Sequence, residues 1–393
     1  RLQPPNSTLF PYTTLFRSDI YHPVSYQPVK TGKKVLIAGS GPAGLFAALR
    51  LIEKGIVPIV LERGKEVRQR RFDLKPLLAH GRLNPESNYC FGEGGAGTFS
   101  DGKLYTRSPK RGDIHNILSI LVQHGADRDI LVNAHPHLGS NRLPTIIRAV
   151  RDTILACNGQ IHFNARVDGL MLKNGRIRGV RTMDREFEAD AVILATGHSA
   201  RDVFRLLDES RVRLEAKPFA MGVRVEHPQS LINAIQYGKQ KNSPFLPVAE
   251  YSLACQVGRA GVYSFCMCPG GMLIPASTQP GELVLNGMSN SRRNMPRANA
   301  GIVVSVGPDR YGHLFESFGA FAGLEYQRQM EEKAFLAGGP AQTAPAQVLT
   351  DFMEDRISTR LPATSYIPGV ISRPLNEVLP SDLIQALKEA FRI

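Results

Sequence analysis

Two glycine-rich stretches have the spacing of a dinucleotide-binding loop. The first is Gly39-Ser40-Gly41-Pro42-Ala43-Gly44, and the second contains Gly92, Gly94 and Gly97 within residues 90–103. Glycines at this spacing let the chain turn tightly and bring its backbone close to a pyrophosphate, provided that a strand precedes them and a helix follows. Each stretch predicts a cofactor site only if its neighbouring residues form those elements.

The first stretch has neighbours of the required kind. The apolar run 33–38 predicts a buried parallel strand, and residues 45–55 predict a helix that a glycine ends. Residues 57–62 predict a second strand, which finishes on Glu62, eighteen residues after Gly44. The exposed amides at a helix start attract phosphates, and Glu62 can accept hydrogen bonds from ribose hydroxyls. The unit predicts a dinucleotide site, and the negative charge of Glu62 disfavours a cofactor with a 2′-phosphate.

The second stretch fails the same test. Residues 82–91 contain no apolar run, and Asp101-Gly102 marks a turn where a helix would be needed. We therefore expect no second Rossmann unit. Two interpretations stay open: a flexible surface loop, or a backbone that lies flat against a planar ring or a phosphate. On the second interpretation these residues lie near the pyrophosphate and the planar ring of the cofactor, which the next segments identify as a flavin: Gly94, Gly95, Gly97, Ser100, Asp101 and Lys103.

Later segments favour FAD over NAD. Residues 169–182 predict a hairpin that turns at Asn174-Gly175, and residues 191–195 predict a strand that runs into Thr196-Gly197. This order of elements resembles the FAD domain of the glutathione-reductase-like flavoproteins. In those proteins a strand end of this kind packs by the FAD, and the short strand corresponding to 165–167 contacts adenine through its backbone. A domain that binds only NAD has no need of the hairpin.

The motifs together resemble one family. GSGPAGLFAALRLIEKG, LERG, GEGGAGTFSDGKLYTR, ATGHSARDVF, KPFAMGVRVEHPQ and FCMCPGG are similar to segments of the uncharacterised FAD-dependent dehydrogenases, also called NAD(P)/FAD-dependent oxidoreductases, over about residues 26–393. The resemblance implies an α/β protein, with a Rossmann-like FAD-binding domain of the glutathione-reductase type and a second, mixed α/β substrate domain. The expected FAD-binding residues are Gly39, Gly41, Pro42, Ala43, Gly44, Glu62, Arg63, Gly94, Gly95, Gly97, Val167, Thr196 and Gly197.

We expect four segments. Residues 7–18 read STLFPYTTLFRS, which resembles a translated sequencing adapter, so residues 1–18 are interpreted as a non-native leader. Residues 19–32 are then a linker, 33–211 the FAD-binding domain and 212–393 the substrate domain. Relatives also carry an additional N-terminal domain and a C-terminal segment that returns to the flavin, and we expect both to lie beyond this fragment.

Four side chains are candidates for chemistry: Lys103, His198, Cys266 and Cys268. Lys103 near the flavin would stabilise its reduced anion, and His198 could donate a proton, with a structural histidine as the alternative. Cys266 and Cys268 would share one face of a strand. They are interpreted either as a redox dithiol or as buried, inert small residues. Two thiols without further ligands do not make a metal site, and His135-Pro136-His137 is interpreted as a loop, so no metal is expected.

Composition limits the class of protein. The net charge of +13 allows a nucleic-acid partner, but the basic residues are scattered and lack interleaved aromatics, so a small-molecule substrate is expected instead. Five cysteines are too few and odd in number for a secreted disulfide framework, which favours the cytoplasm. The sequence contains no apolar run of the roughly 18 residues that span a bilayer.

The predicted function is an FAD-dependent oxidoreductase that transfers a hydride between a small molecule and the flavin, with NAD(P)H as a candidate transient reductant. The alternatives are a flavin-dependent RNA-modifying protein, which the positive charge motivates, and a flavin-binding protein without catalysis. The sequence does not indicate the substrate or the oligomeric state.

Overall fold

The computed structural model describes residues 21–30, 32–105 and 112–393. The expected leader, residues 1–18, lies outside the described residues, and its interpretation stays a prediction. Within the described part of the chain, no helix is both long and apolar enough to cross a membrane.

The first half of the chain alternates strands with helices. In order, its elements are β1 (Lys34–Ala38), α1 (Pro42–Glu53), β2 (Val57–Leu61), α2 (Val67–His80), α3 (Ile114–Gln123), α4 (Leu143–Ala156), β3 (Gln160–His162), β4 (Val167–Lys173), β5 (Arg176–Thr182), β6 (Glu186–Glu188), β7 (Ala191–Leu194) and α5 (Arg201–Glu209). Strands β3, β2, β1 and β7 form a parallel sheet in that spatial order. The strands predicted at 33–38 and 57–62 are thereby confirmed as the two inner strands.

The two faces of this sheet are covered by different layers, because successive residues of a strand point to opposite sides. Ile37 of β1 packs into a core formed with α1, α3 and α4. Leu36 faces the other way and packs against Val167 and Val180 of an antiparallel ribbon, β4-β5-β6. The central strands are buried on both faces, which explains why their sequences are continuous apolar runs.

The ribbon confirms the predicted hairpin. Strands β4 and β5 are antiparallel and are joined by Asn174-Gly175, whose φ angles are +52° and +71°. Two positive φ angles are what a two-residue hairpin turn requires, and asparagine and glycine adopt them most readily. The sequence was sufficient to predict this hairpin because the turn depends only on two adjacent residues, Asn174 and Gly175.

The second half is a mixed α/β unit around an antiparallel sheet. Its elements are β8 (Phe219–Pro228), α6 (Gln229–Tyr237), β9 (Ala254–Val257), β10 (Ala260–Cys268), β11 (Gly271–Pro275), β12 (Leu285–Ser289), β13 (Arg297–Val306), α7 (Pro308–Tyr311), α8 (Phe315–Phe318), α9 (Ala322–Gly338), β14 (Ala344–Ala346), α10 (Leu349–Met353), β15 (Val370–Ser372) and α11 (Ser381–Arg392). Strands β8, β13, β10 and β9 pair in that order, and α9 and α11 pack on one face.

The two halves are joined by two largely shielded ion pairs and a backbone hydrogen bond. Arg293 Nη2 lies 2.7 Å from Asp101 Oδ2. Arg201 Nη1 lies 2.8 Å from Glu282 Oε1, and the Ser140 amide donates to the Ser289 carbonyl at 2.9 Å. The predicted boundary between residues 211 and 212 falls between α5 and β8 and stays a prediction.

Gly44 determines how closely α1 can approach β1. A Cβ on Gly44 would lie 1.9 Å from the carbonyl oxygen of Gly39. We expect Gly44→Ala to lower the free energy of unfolding by about 2 kcal/mol, in the range typical of overpacking. Denaturant titration of this variant beside Gly112→Ala measures the effect, since a Cβ at Gly112 meets nothing within 4 Å. Equal stability of the two variants would contradict the close approach.

Candidate functional site

The turn between β1 and α1 contains glycines of two kinds. A Cβ on Gly39, whose φ is +104°, would lie 2.5 Å from the carbonyl oxygen of Ala195, so both this position and Gly44 require glycine for steric reasons. Gly41 differs, because its φ is −66° and a Cβ there would meet only the Gly95 Cα at an ordinary 3.9 Å. The fold itself does not demand glycine at position 41. The open space above it fits a group that approaches the backbone.

The start of α1 offers backbone donors. Pro42 is the first helical residue, Gly41 provides no side-chain cap, and the first turn carries no acidic side chain. Pro42 and Ala43 are exposed. Uncapped amides and the partial positive charge of a helix N-terminus suit an anionic ligand.

Glu62 follows β2 and faces this turn, but its carboxylate is fully engaged by the protein. One oxygen accepts hydrogen bonds from the Ser40 amide at 2.9 Å and the Ser40 hydroxyl at 2.7 Å. The other accepts from the amides of Gly64 and Gly92, both at 2.9 Å. A carboxylate has about four acceptor sites, and all are used, so a ribose hydroxyl must displace a donor. The Ser40 hydroxyl, which can rotate, is the most easily displaced. The ribose role of Glu62 stays a prediction.

Arg63 is also held by protein groups. Its guanidinium lies 3.0 Å from Glu86 and 3.0 Å from Asp202, and it stacks 4.2 Å from the centre of the Phe91 ring. These contacts fix the side chain beside the end of β2. Its predicted cofactor contact is untested.

The other predicted contacts of the first half lie around the same sheet edge. The Ala165 amide donates to the Glu62 carbonyl at 2.8 Å, which sets the start of β4 at the buried Val167 beside that acid. Thr196 and Gly197 follow β7, the hydrogen-bonded neighbour of β1. His198 comes next and is exposed, and its Nδ1 lies 3.3 Å from Ser199 Oγ.

The second glycine-rich stretch lies against the first. A Cβ on Gly95 would be 3.1 Å from the Gly41 Cα, and one on Gly97 would be 3.2 Å from Pro42 Cγ. Residues 84–94 form no strand, and 95–97 form a single 3-10 turn. The prediction that this stretch does not form a second Rossmann unit is therefore confirmed. Phe91 to Gly94 are buried, so the interpretation as a flexible surface loop is wrong.

Arg70 holds this stretch in place. The side chain is fully buried, and its guanidinium donates to the carbonyls of Asn88 at 2.7 Å, Glu93 at 2.6 Å and Gly95 at 3.0 Å. Burial lowers its pKa to about 10, against the opposing effect of nearby acids. A Cβ on Gly92 would lie 2.3 Å from Arg70 Cδ, so Gly92 is required by packing.

Sequence reasoning missed the structural role of Arg70 and counted it only among the scattered basic residues. A signal was present, however, in the spacing of α2. Its buried residues are Val67, Arg70, Leu74 and Leu77, which recur at the three- and four-residue steps of one helix face. An arginine in register with an apolar stripe predicts a buried cation.

Lys103 turns away from the glycine turns and reaches the second sheet. Its Nζ donates to the Met267 carbonyl and lies 3.9 Å from Cys266 Sγ. Cys266 Sγ in turn lies 3.7 Å from Cys268 Sγ, which confirms that the two thiols share a face. The structure thus brings together three of the four chemical candidates and leaves His198 apart.

A β-bulge determines which face carries the thiols. Ser264 pairs with Ile302 and Cys266 with Gly301, so Phe265 is an extra residue in β10. Val262 before the bulge and Met267 after it both belong to the hydrophobic core. Cys266 and Cys268 therefore face away from that core.

The face that carries the thiols is polar. Arg224 of β8 crosses Gly301, where a Cβ would lie 3.6 Å from its Cζ, and it donates to the buried Asn299 at 3.1 Å. A hydrogen bond from Cys268 and the charges of Lys103 and Arg224 lower the pKa of Cys266 to about 6, against burial and Asp101. The pKa of Cys268 is raised well above its usual value, because it donates that bond and is fully buried.

The histidines serve other contacts. His135 lies 3.2 Å from Glu250 and stacks on Tyr105, while His137 Nε2 lies 3.1 Å from the Ser291 carbonyl. Burial and the nearby Arg293 lower the pKa of His137. Across the described ranges, no group of three or more histidine, cysteine, aspartate or glutamate side chains is placed to hold a metal ion.

Comparison with known proteins shows similarity to one family model and to several relatives. Residues 218–393 match the family described as "FAD-dependent protein, C-terminal domain-like". A protein of Clostridium beijerinckii, named only as uncharacterized, is 42% identical over 358 residues, which cover 90% of this chain and 66% of that protein. FixC of Salmonella typhi is 28% identical over 207 residues, or 50% of this chain and 44% of FixC. The chain thus spans 66% and 44% of the length of these relatives.

Among solved structures, CtdE in complex with FAD aligns at 13% identity and a TM-score of 0.31, over 75% of this chain and 68% of CtdE. The family match identifies FAD as the cofactor.

The role of Arg70 can be measured as stability. We expect Arg70→Lys to lower the free energy of unfolding by about 3 kcal/mol, because an ammonium cannot reach the carbonyls that the guanidinium fork serves. Arg71→Lys, one residue further along α2 and exposed, is the matched control and should stay within about 0.5 kcal/mol of the parent. Similar denaturation midpoints for both variants would show that Arg70 does not hold the stretch.

The charge around Cys266 predicts a pH profile. The hydrogen bond from Cys268 and the charges of Lys103 and Arg224 stabilise its thiolate, while burial and Asp101 oppose them, and the resulting pKa is about 6. We expect alkylation by iodoacetamide to be half-maximal near pH 6 and to be constant above about pH 7. Peptide mass spectrometry after timed alkylation gives the profile, and Cys266→Ser should abolish the low-pH reaction. A midpoint between pH 8 and 9 would refute the described environment.

Proposed function

We propose that this chain is an FAD-dependent oxidoreductase of the dehydrogenase type, which transfers a hydride between a small-molecule substrate and the flavin. The observation that carries the proposal is Gly41. Neither its backbone angle nor any neighbour requires glycine, yet it stands at an uncapped helix start, where a Cβ would fill the space above the backbone. The match of residues 218–393 to an FAD-dependent family supports the same cofactor.

The fit to FAD assigns roles to the residues around the turn. The amides from Gly41 to Gly44 would bind the pyrophosphate, Glu62 the ribose after releasing Ser40, and the backbone at Val167 the adenine. Gly94, Gly95 and Gly97 would border the flavin side together with Thr196 and Gly197. FAD when bound supplies the hydride chemistry, and the protein positions it and excludes water.

The arrangement of layers favours a glutathione-reductase-type domain. The parallel sheet carries helices on one face and an antiparallel ribbon on the other. The strands, helices and hairpin follow one another along the chain in the order that resembles the FAD domain of the glutathione-reductase-like flavoproteins. We place the substrate between residues 33–211 and 212–393, near the polar face that carries Lys103. Location in the cytoplasm and NAD(P)H as reductant stay predictions.

The RNA-modifying alternative loses support from two arginines. Short clusters of basic residues occur at 68–71 and 292–297. Arg70 belongs to the first and Arg293 to the second, and both are buried. Arg70 is bound to carbonyls and Arg293 is paired with Asp101. Neither charge is available to a phosphate backbone. A small-molecule substrate is therefore the better proposal.

Gly41→Val tests the cofactor site. In the complete protein we expect the variant to bind FAD at least about tenfold more weakly, or ~1.4 kcal/mol, because the side chain occupies the space that the pyrophosphate needs. Without FAD the variant should still fold, with a smaller fall in its unfolding midpoint than that of Gly44→Ala. Flavin fluorescence titration gives the affinity, and Gly112→Ala is the control. Parental FAD affinity in a folded Gly41→Val protein would remove the basis of the proposal.

The oxidoreductase activity is tested by anaerobic mixing of the FAD-loaded protein with NADH or NADPH. Bleaching of the flavin by either donor supports a dehydrogenase. A bound flavin that neither donor nor any added hydride-donating substrate reduces would support a non-catalytic flavin protein instead.

A further inference from the structure

We propose that Cys266 and Cys268 form a redox-active dithiol that reduces a disulfide substrate, with Cys266 as the attacking thiol and Cys268 as the resolving thiol. The inference concerns the end of β10 and the cations around it, and it does not depend on bound FAD. It assigns a function to a pair of side chains that the hydride-transfer proposal leaves unused.

The geometry divides the two roles. The sulfur atoms are 3.7 Å apart on the same strand face. Cys266 is half-buried, whereas Cys268 has no exposed surface. A substrate can therefore reach only Cys266, and Cys268 can reach only the sulfur of Cys266. An accessible thiol beside a shielded partner is the arrangement of an attacking and a resolving cysteine.

The surroundings favour an anion at Cys266. Lys103 Nζ lies 3.9 Å from its sulfur, and Arg224 extends across Gly301, the residue that pairs with Cys266. These two cations come from separate elements and converge on one thiol. The other cysteines with a resolved shift differ, because burial raises the pKa of Cys90 and of Cys157. The thiolate is the nucleophilic form of cysteine.

The reaction balances without another reagent. The Cys266 thiolate attacks one sulfur of a substrate R–S–S–R, forms Cys266–S–S–R and releases R–S⁻. Cys268 then loses its proton to a released thiolate and attacks the Cys266 sulfur, which expels the second R–S⁻. The second thiolate takes a proton from solvent. Two electrons pass from the dithiol to the substrate, which leaves as two R–SH molecules, and the protein retains a Cys266–Cys268 disulfide.

The strand geometry permits a bond between the two sulfur atoms. Residues two apart in a strand have Cα atoms separated by about 6.6 Å, within the range that a disulfide bridges.

The test uses the reduced full chain at pH 7 and the aromatic disulfide 5,5′-dithiobis(2-nitrobenzoate) as the substrate probe. We expect a fast phase that releases two aromatic thiolates per chain, followed by a peptide map in which the fragment with Cys266 and Cys268 has lost two hydrogens and carries no adduct. A persistent aromatic adduct on Cys266, or a fragment with both thiols free, would overturn the proposal. This measurement needs no variant.

Variants assign the two roles. Cys268→Ser should release one aromatic thiolate in the fast phase and keep the adduct on Cys266, and Cys266→Ser should lose the fast phase. Lys103→Met should slow it by about tenfold or more, because less thiolate is present. Cys255→Ser, a half-buried cysteine on β9, is the matched control and should react like the parent. An unchanged fast phase in Cys266→Ser would refute the assignment.

Discussion

The carboxylate of Glu62 is the point at which the first half of the molecule is assembled. It binds the amide and hydroxyl of Ser40 in the β1–α1 turn, the amide of Gly64 after β2, and the amide of Gly92 in the second glycine-rich stretch. Three chain segments are thereby fixed around one buried charge. Their spacing defines the open space above Gly41. The proposed cofactor site therefore depends on the acceptor oxygens of Glu62.

Arg70 provides the hydrogen-bond donors that complement the acceptor oxygens of Glu62. A stretch without strand or helix leaves its amides and carbonyls unpaired, and unpaired groups are costly when buried. Here Glu62 satisfies an amide and Arg70 satisfies the carbonyls of Asn88, Glu93 and Gly95. Two side chains of opposite charge thus replace a hydrogen-bond ladder. The glycines of the stretch are needed largely because the backbone passes so close to these groups and to Pro42.

The features that sequence predicted correctly are those whose causes are local. The β1–α1 turn, the Asn174-Gly175 hairpin and the shared face of Cys266 and Cys268 follow from residues within one or two elements. Three features could not be predicted in this way. The carboxylate oxygens of Glu62 accept hydrogen bonds from protein groups, the side chain of Arg70 is buried, and Lys103 reaches Cys266. Each depends on segments far apart in the chain, whose meeting is decided by packing rather than by pattern. Lys103 and Cys266 are 163 positions apart.

Phe265 shows how much a single inserted residue can decide. Because a strand alternates sides at every residue, one extra position reverses the assignment of everything that follows it until the strand ends. If β10 alternated regularly through Phe265, without the bulge, Met267 would point toward Lys103 and both thiols would point into the hydrophobic core. The position of the bulge in β10, and not only the identity of its residues, thus determines whether the thiols lie on the polar face or in the hydrophobic core. Homologues should be aligned on this bulge before their cysteines are compared.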